Sequence, residues 1–297
     1  MSFGPFLELP QCAPESADVL LLPLPYEGTV SYGQGTARGP EAIWQASAQI
    51  ELWDEQLDFD LDRLRYHTAE PVVPEANEQP EIYLARVEHA ARALHLAGGL
   101  VVGIGGEHSL TPPLVSAAQG ERPFDELTVV QFDAHSDLRE SFDGTPHSHA
   151  CAMRSLVERG ARVIAIGIRS AERAEFQYGV SSGRVETFTA QRLAEEPDLS
   201  RSLNERLAEL AGRVYLTIDV DVMDVAFSPG TGTPQPGGLA WWPMLGLLKS
   251  LLHQRADLEL IGCDVVETAP QPGTRVNEFT SARLLAKLIA YRFHGQH

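Results

Sequence analysis

The sequence predicts an α/β fold in which a mainly parallel central sheet is covered by helices on both faces. Short apolar segments rich in β-branched residues alternate with amphipathic segments along the chain, which is the pattern of parallel strands joined by helices. No internal repeat and no linker-like segment divides the 297 residues, of which 43% are hydrophobic. We therefore expect a single domain over residues 1–297 with a large buried core.

The predicted strands are short apolar runs, as expected for strands that are buried on both faces. They cover residues 19–22, 100–104, 127–132, 163–168, 214–218 and 258–261. Helices are expected from Pro40, where proline suits a first helical turn, and from Pro80 to the pair of glycines at 98 and 99. The remaining predicted helices contain Leu203, Leu207 and Leu210, then Leu245, Leu248 and Leu252, and finally residues 281–292.

The chain is strongly acidic, with a formal net charge of −18 and a pI near 4.9. Nucleic acid is therefore a poor partner for it. A small cationic substrate would be attracted, although solubility alone also accounts for such a charge. Part of the excess lies in residues 54–62, which we expect to form a solvated edge.

The sequence contains no sign of a membrane or secreted protein. No apolar run is long enough to span a membrane, and residues 1–5 have neither the basic start nor the apolar core of a signal peptide. Cys12, Cys151 and Cys263 have no paired spacing, which argues against a disulfide framework and a zinc ribbon. We therefore expect a cytoplasmic protein without a membrane partner.

Two acidic clusters each follow an apolar, β-branched run. Residues 133–137 read DAHSD, and residues 219–221 read DVD. Side chains two residues apart on an extended chain share a face, so the acidic residues and His135 can point the same way. Crowded carboxylates resist ionisation unless cations neutralise them. Carboxylates combined with imidazole suit divalent manganese or a similar metal.

A third motif follows the predicted strand at 100–104. Residues 105–109 read GGEHS, and the two glycines allow the backbone to turn tightly and to approach another group closely. The motif lacks the glycine spacing of a dinucleotide-binding loop. Ligands of open parallel sheets bind outside the carboxyl ends of the strands, so we expect His108 to lie beside the two acidic clusters.

These motifs resemble those of the ureohydrolase family, which includes arginase and agmatinase. After GGEHS and DAHSD come SHAC at residues 148–151, TIDVDVMD at 217–224 and SPGTGTP at 228–234, which is the family order. The segment at 25–40 resembles the agmatinase branch, and the whole resemblance extends from about residue 18 to residue 290. It implies the arginase-type three-layer α/β/α sandwich, usually assembled as a homotrimer or homohexamer.

The resemblance also implies two manganese ions per chain. His108 and Asp137 would hold one ion, His135 and Asp221 would hold the other, and Asp133 and Asp219 would bridge the two. Two such ions can share a hydroxide, which would attack the guanidinium carbon of the substrate. Asp137 would also orient this hydroxide.

Two further residues match catalytic positions of the family. His149 matches the proton-shuttling histidine, with His147 as the alternative. Glu267 matches the glutamate that holds the guanidinium, or is instead a surface residue. We expect Asp224 to lie in a turn rather than on a metal, and Cys151 to be a small buried residue rather than a nucleophile.

The predicted substrate is a small cationic guanidino compound. Arg139 stands where arginases usually have asparagine, which argues against L-arginine. The run from Asp137 to Met153 resembles shorter agmatinases, so we predict hydrolysis of agmatine to putrescine and urea. Aminopropylagmatine, guanidinobutyrate and other guanidino compounds are the alternatives. Glu140 or Asp143 could receive the distal ammonium, or could be solvated loop charges.

Two other classes of protein are compatible with these motifs. A deacetylase-like amidohydrolase on the same scaffold typically holds one zinc ion and lacks the full second set of carboxylates. A non-catalytic binding or regulatory protein could also retain the fold. The complete set of ligands, together with His149 and Glu267, argues against this second class.

Overall fold

The computed structural model describes residues 3–295 and contains a central sheet of eight strands. The strands are β1 (Val19–Leu24), β2 (Trp53–Asp54), β3 (Phe59–Asp60), β4 (Tyr66–Thr68), β5 (Leu100–Gly105), β6 (Leu127–Phe132), β7 (Arg162–Ile168), β8 (Val185–Thr189), β9 (Gly212–Asp219) and β10 (Leu258–Val266). The sheet has the order β4-β1-β5-β10-β9-β6-β7-β8, and every neighbouring pair in it is parallel. β2 and β3 form a separate antiparallel hairpin.

Helices connect the strands and cover both faces of the sheet. They are α1 (Gly39–Ser47), α2 (Pro80–His95), α3 (Thr111–Gln119), α4 (Ala152–Glu158), α5 (Arg173–Ser182), α6 (Ala190–Glu195), α7 (Pro197–Ala208), α8 (Trp241–Leu252) and α9 (Val276–Phe293). No helix within residues 3–295 is both long and apolar enough to cross a lipid bilayer.

The two faces of the sheet carry separate apolar layers, because successive side chains of a strand point to opposite faces. In β1, Val19 and Leu21 belong to the layer that includes α1, α7, α8 and α9. Leu20 and Leu22 belong to the layer that includes α2, α3 and α4. The predicted α/β/α sandwich with a mainly parallel sheet is therefore confirmed.

The last strand in the chain, β10, which lies in the middle of the sheet, differs most from its predicted range. β10 continues to Val266 instead of ending at residue 261, and it passes through the buried Asp264. An acidic residue interrupts the apolar pattern that the prediction relies on. In the structure its carboxylate accepts hydrogen bonds from Tyr215 and Thr217 of the neighbouring strand β9, at 2.8 and 2.7 Å. These partners make its burial tolerable and allow the strand to continue to the edge that carries the site.

Other elements differ from the sequence-based expectation in smaller ways. β4 and β8 are short edge strands of mixed polarity, so they lack the apolar run that identifies the central strands. Leu210, expected on a helix, lies beyond the end of α7.

The acidic segment at 54–62 is only in part the solvated edge that the sequence predicts. Asp54 is 2% exposed, and its carboxylate lies 2.9 Å from the ammonium group of Lys287 on α9. Glu55 and Asp62 are exposed, as expected. The expectation is wrong for Asp54 because the local run of charge does not show that a distant helix supplies a buried cation.

Candidate metal centre and active-site cavity

The predicted motifs meet at the carboxyl ends of four neighbouring strands in the middle of the sheet. His108 follows β5 and Glu267 follows β10, while Asp219 ends β9 and Asp133 follows β6. Parallel pairing brings these strand ends to one edge, which is where the sequence predicts the site.

One group of possible metal ligands surrounds the imidazole of His108. Its Nδ1 lies 2.9 Å from Asp137 Oδ2, 3.1 Å from Asp133 Oδ2 and 3.7 Å from Asp219 Oδ2. This nitrogen is buried and has no hydrogen-bond partner of suitable geometry. The other ring nitrogen, Nε2, lies 2.9 Å from Thr217 Oγ1, which fixes the orientation of the ring.

A second group shares one carboxylate with the first. His135 Nδ1 lies 2.9 Å from Asp221 Oδ2 and 3.7 Å from Asp133 Oδ1. Asp133 therefore presents Oδ2 to the first group and Oδ1 to the second. In each group the candidate ligand atoms lie within 4.8 Å of one another, and the groups comprise His108, Asp133 and Asp219, and Asp133, His135 and Asp221.

The side chains converge by turns, not by the extended alternation that the sequence analysis assumed. Asp221 lies in a short 3₁₀ helix, Val220–Val222, whose first turn is capped by the carboxylate of Asp219. Asp137 has a left-handed backbone with φ 51°. The extended-chain geometry is therefore wrong beyond the strand ends, although the residues that it selects do come together.

Burial and repulsion perturb the carboxylates of this cluster. Burial raises the pKa of Asp137 to about 6, and the nearby Asp133 adds to the rise. Burial also raises the pKa of Asp219 well above its ordinary value, with further contributions from Asp221 and Asp133. Buried carboxylates that disfavour one another's ionisation, together with an unpartnered imidazole nitrogen, form a donor set that fits divalent cations.

A cavity of about 380 Å³ opens onto this cluster. Its lining includes Ser31, His108, His135, Asp137, Arg139, Phe142, His149, Glu172, Glu175, Asp219, Thr233, Gln235 and Glu267. Glu267 is 7% exposed, and one of its oxygens accepts a 2.9 Å hydrogen bond from the backbone amide of His108. Burial, then the nearby Glu107, raise the pKa of Glu267 well above its ordinary value. A carboxylate in this position can bind a planar cation that enters the cavity.

The two candidate shuttle histidines occupy different surroundings. His149 lines the cavity, and burial lowers the pKa of its imidazole below 6.5. His147 is exposed and does not line the cavity. The structure therefore brings His149, but not His147, to the side chains that follow the strands.

The lining of the cavity includes two acidic residues that the sequence analysis missed, Glu172 and Glu175. The guanidinium of Arg139 lies 3.1 Å from Glu172 and 3.7 Å from Glu175. Glu140 and Asp143, the candidates named from the sequence, are exposed and do not line the cavity. Glu172 and Glu175 follow the predicted strand at 163–168, so the rule that strand ends carry the site could have found them.

Two other expectations concern residues beside the cavity. The carboxylate of Asp224 accepts hydrogen bonds from the backbone amides of Ala226, Gly237 and Gly238, so it holds a loop, as the sequence suggests. Cys151 is a buried free thiol, and burial raises its pKa to about 11, which disfavours a thiolate nucleophile.

The sequence matches the model of the arginase family over residues 17–294. It is 38% identical over 283 residues to the N(1)-aminopropylagmatine ureohydrolase of a Synechocystis species, covering 93% of this chain and 89% of that protein. It is 34% identical over 288 residues to the agmatinase of Pyrococcus horikoshii, covering 96% of this chain and 94% of that protein.

Solved structures show the same relationship. The agmatine ureohydrolase of Thermoplasma volcanium superposes with a TM-score of 0.82 at 28% identity, covering 96% of this chain and 94% of that chain. The proclavaminate amidino hydrolase of Streptomyces clavuligerus superposes with a TM-score of 0.85 at 27% identity, covering 100% and 99%.

These matches, together with the site, establish the class of protein. The chain belongs to the arginase family, whose members depend on a binuclear metal centre. It is a ureohydrolase, an enzyme that hydrolyses guanidino compounds.

Proposed function

We propose that this protein is a manganese-dependent ureohydrolase that converts agmatine to putrescine and urea. One observation carries the proposal: two groups of histidine and aspartate share Asp133 beside a cavity that also contains Glu267. The relatives named agmatinase support the choice of substrate.

The donor set supports two ions. We assign His108 and Asp137 to one ion, His135 and Asp221 to the other, and Asp133 and Asp219 to both. Oxygen and imidazole donors without thiolates favour manganese over softer metals. When bound, the pair supplies a hydroxide nucleophile at neutral pH and stabilises the charge that develops during attack.

Glu267 and Asp137 position the reactants. The buried carboxylate of Glu267 binds the guanidinium through charge-assisted hydrogen bonds, with one oxygen already held by the amide of His108. Asp137 accepts a hydrogen bond from the attacking water and aims it at the guanidinium carbon. The two carboxylates thus hold the guanidinium and the water in the relative orientation that the attack requires.

His149 carries the proton that the leaving amine requires. Attack converts the planar guanidinium carbon to a tetrahedral centre, which collapses only when the departing nitrogen is protonated. Burial lowers the pKa of His149, so the neutral ring predominates near pH 7; it can take up a proton that the attacking water loses and pass it to the departing nitrogen. His149 lines the cavity, where it can deliver that proton.

Glu172 receives the distal ammonium of the substrate. It lines the cavity at its outer part, and its side chain is 59% exposed even though it pairs with Arg139. Arg139 would repel a cationic tail if it were alone, but its charge is paired with the carboxylates of Glu172 and Glu175. The mouth therefore accepts an amine and disfavours a tail that ends in a carboxylate.

N(1)-aminopropylagmatine is the second candidate substrate. The relative with 38% identity acts on this compound by its name, as do relatives from Thermus thermophilus at 34%. Its hydrolysis removes the same guanidino carbon and leaves spermidine. The exposed position of Glu172 leaves room for a longer tail to extend past it.

A panel of substrates tests the proposal. Urea release is measured with manganese-loaded protein and agmatine, N(1)-aminopropylagmatine, 4-guanidinobutyrate or L-arginine. We expect the highest kcat/KM for one of the two amines, and their ratio decides between them. Faster hydrolysis of arginine than of either amine would refute the choice of substrate.

Three further measurements accompany this panel. Metal analysis of the active protein should give two manganese ions per chain, whereas one tightly held zinc ion would favour a deacetylase-like amidohydrolase. Light scattering should give a homotrimer or homohexamer, and fractionation of the source cells should place the protein in the cytoplasm.

A further inference from the structure

Glu107, in the GGEHS motif, is fully buried but belongs to neither group of possible metal ligands and does not line the cavity. Its carboxylate accepts three hydrogen bonds from protein donors. Oε2 accepts from the backbone amide of Thr29 at 2.8 Å, and Oε1 accepts from the hydroxyls of Thr29 and Ser109, both at 2.6 Å. Glu107 therefore holds Thr29 by its main chain and its side chain together.

Thr29 in turn contacts His149. Its Oγ1 accepts a 3.1 Å hydrogen bond from the backbone amide of His149 and lies 3.5 Å from the ring Nδ1. A hydroxyl has one proton and two lone pairs. Because Thr29 donates its proton to Glu107, the lone pairs of this oxygen remain for His149.

The segment that carries Thr29 has no helix or strand of its own. Residues 25–35 are irregular, so their position depends on contacts with neighbouring loops. The amide of Glu107 donates to the carbonyl of Tyr26 at 3.0 Å, which ties the same two loops together a second time. Ser31 of this segment places its hydroxyl 3.5 Å from Nε2 of His149. The loop thus contacts both ring nitrogens and the backbone of His149.

We propose, on the basis of the shuttle role assigned to His149 above, that Glu107 and Thr29 are positioning residues for proton transfer. Glu107 fixes the hydroxyl of Thr29, and this hydroxyl fixes the backbone and ring of His149 within reach of the leaving amine. Small displacements of an oriented catalytic group reduce the rate of the chemical step without weakening substrate binding to the same extent.

Substitutions at Thr29 separate this role from a structural one. Thr29→Val keeps the shape but removes the hydroxyl, and we expect kcat to fall about 10- to 100-fold with KM changed less than about threefold. Thr29→Ser keeps the hydroxyl and should restore most of kcat. Ser109→Ala removes one hydrogen bond from the same carboxylate without touching His149, so it should remain within about threefold of the original enzyme.

A double-mutant cycle tests whether the effect passes through His149. If it does, Thr29→Val lowers the residual activity of His149→Ala by much less than it lowers that of the original enzyme. Glu107→Gln should lower kcat in the same direction while the protein still holds its manganese. Equal losses in Thr29→Val and Ser109→Ala, additive losses in the cycle, or a loss that follows manganese content would each overturn the proposal.

Hydrogen exchange supplies a test that does not depend on activity. In the manganese-loaded protein, Thr29→Val should accelerate exchange at the amide of His149 and across residues 28–34, whereas Thr29→Ser and Ser109→Ala should not. Unchanged exchange in Thr29→Val would show that Thr29 does not hold His149 in place. If Thr29→Val accelerates this exchange but the original protein hydrolyses no guanidino compound, the proposed function is wrong although the contact between Thr29 and His149 is real.

Discussion

The backbone amide of His108 donates a 2.9 Å hydrogen bond to the carboxylate of Glu267, although 159 positions separate the two residues in the chain. A proposed metal ligand and the proposed guanidinium-binding residue are thereby held in a fixed relation. We expect Glu267→Gln to keep this hydrogen bond but to lose the negative charge that binds the substrate. We expect kcat/KM for agmatine to fall about 10- to 100-fold, which corresponds to the loss of a charge-assisted hydrogen bond.

Metal analysis and a matched variant control this experiment. Glu267→Gln should retain its manganese, and Glu140→Gln, at an exposed acid outside the cavity, should leave kcat/KM unchanged. Activity of Glu267→Gln within about twofold of the original would contradict the assignment.

Removing the metal should abolish activity and lower stability. The carboxylates of Asp133, Asp137 and Asp219 are buried together, and bound cations offset their repulsion. Ligands that bind only the folded state stabilise it by about 2.7 kcal/mol per site at a hundredfold excess over Kd, so we expect Tm to fall by about 5 °C or more after chelation.

Adding manganese back should restore both activity and Tm in the original protein, as followed by calorimetry. In Asp133→Asn, added manganese should raise activity and Tm much less, because this variant lacks the carboxylate that both groups share. An identical Tm with and without manganese would contradict the assignment of these residues as ligands.

Glu172→Gln should weaken recognition of the amine tail without affecting the chemical step. The side chain of Glu172 is 59% exposed, so solvent screens its charge and the expected rise in KM for agmatine is modest, about two- to fivefold. Steady-state kinetics with agmatine and with butylguanidine, which has no distal ammonium, separate the two effects. An equal change in KM for both compounds would show that Glu172 does not receive the ammonium.

Stability should depend on His95 in mildly acidic solution. Burial, reinforced by the charge of Arg213, lowers the pKa of His95 from 6.5 to about 4. As pH falls from 6.5 towards 4, the unfolded chain takes up this proton and the folded protein does not, so the contribution of a neutral His95 is lost. The free energy of unfolding should decrease by at most about 3 kcal/mol across this window.

Comparison of variants isolates this contribution from the acidic cluster. Denaturant unfolding at pH 7.5 and 4.5 should show that the free energy of unfolding falls less for His95→Gln than for the original protein. His89→Gln, at an exposed position of the same helix, should show the original loss. Equal losses in the two variants would contradict the prediction.

The central strands and the polar residues at their ends could be predicted because both signals are local. The apolar runs before Asp133 and Asp219 identify buried strands, and parallel strands place their carboxyl ends at one edge. Resemblance to a known family then suggested the roles of His149 and Glu267. The single domain, the metal ligands and the catalytic roles stay predictions.

The partners of buried charges could not be predicted, because they come from distant segments. Neither the contact of Asp54 with Lys287 nor that of Thr29 with Glu107 has a periodic or spacing signal. Glu172 was missed for a different reason. It follows a predicted strand, but the segment after that strand is an ordinary capping sequence without a histidine, so it gave no sign of a site.

Asp137 and Glu267 share an unfavourable backbone, with φ of 51° and 66°. Left-handed geometry costs a residue with a side chain about 1 kcal/mol or more, and glycine avoids that cost. Selection for heat resistance alone would therefore favour glycine at two proposed catalytic positions, and we expect the resulting variants to be more stable but inactive. Selection for durability must be accompanied by selection for turnover at every round.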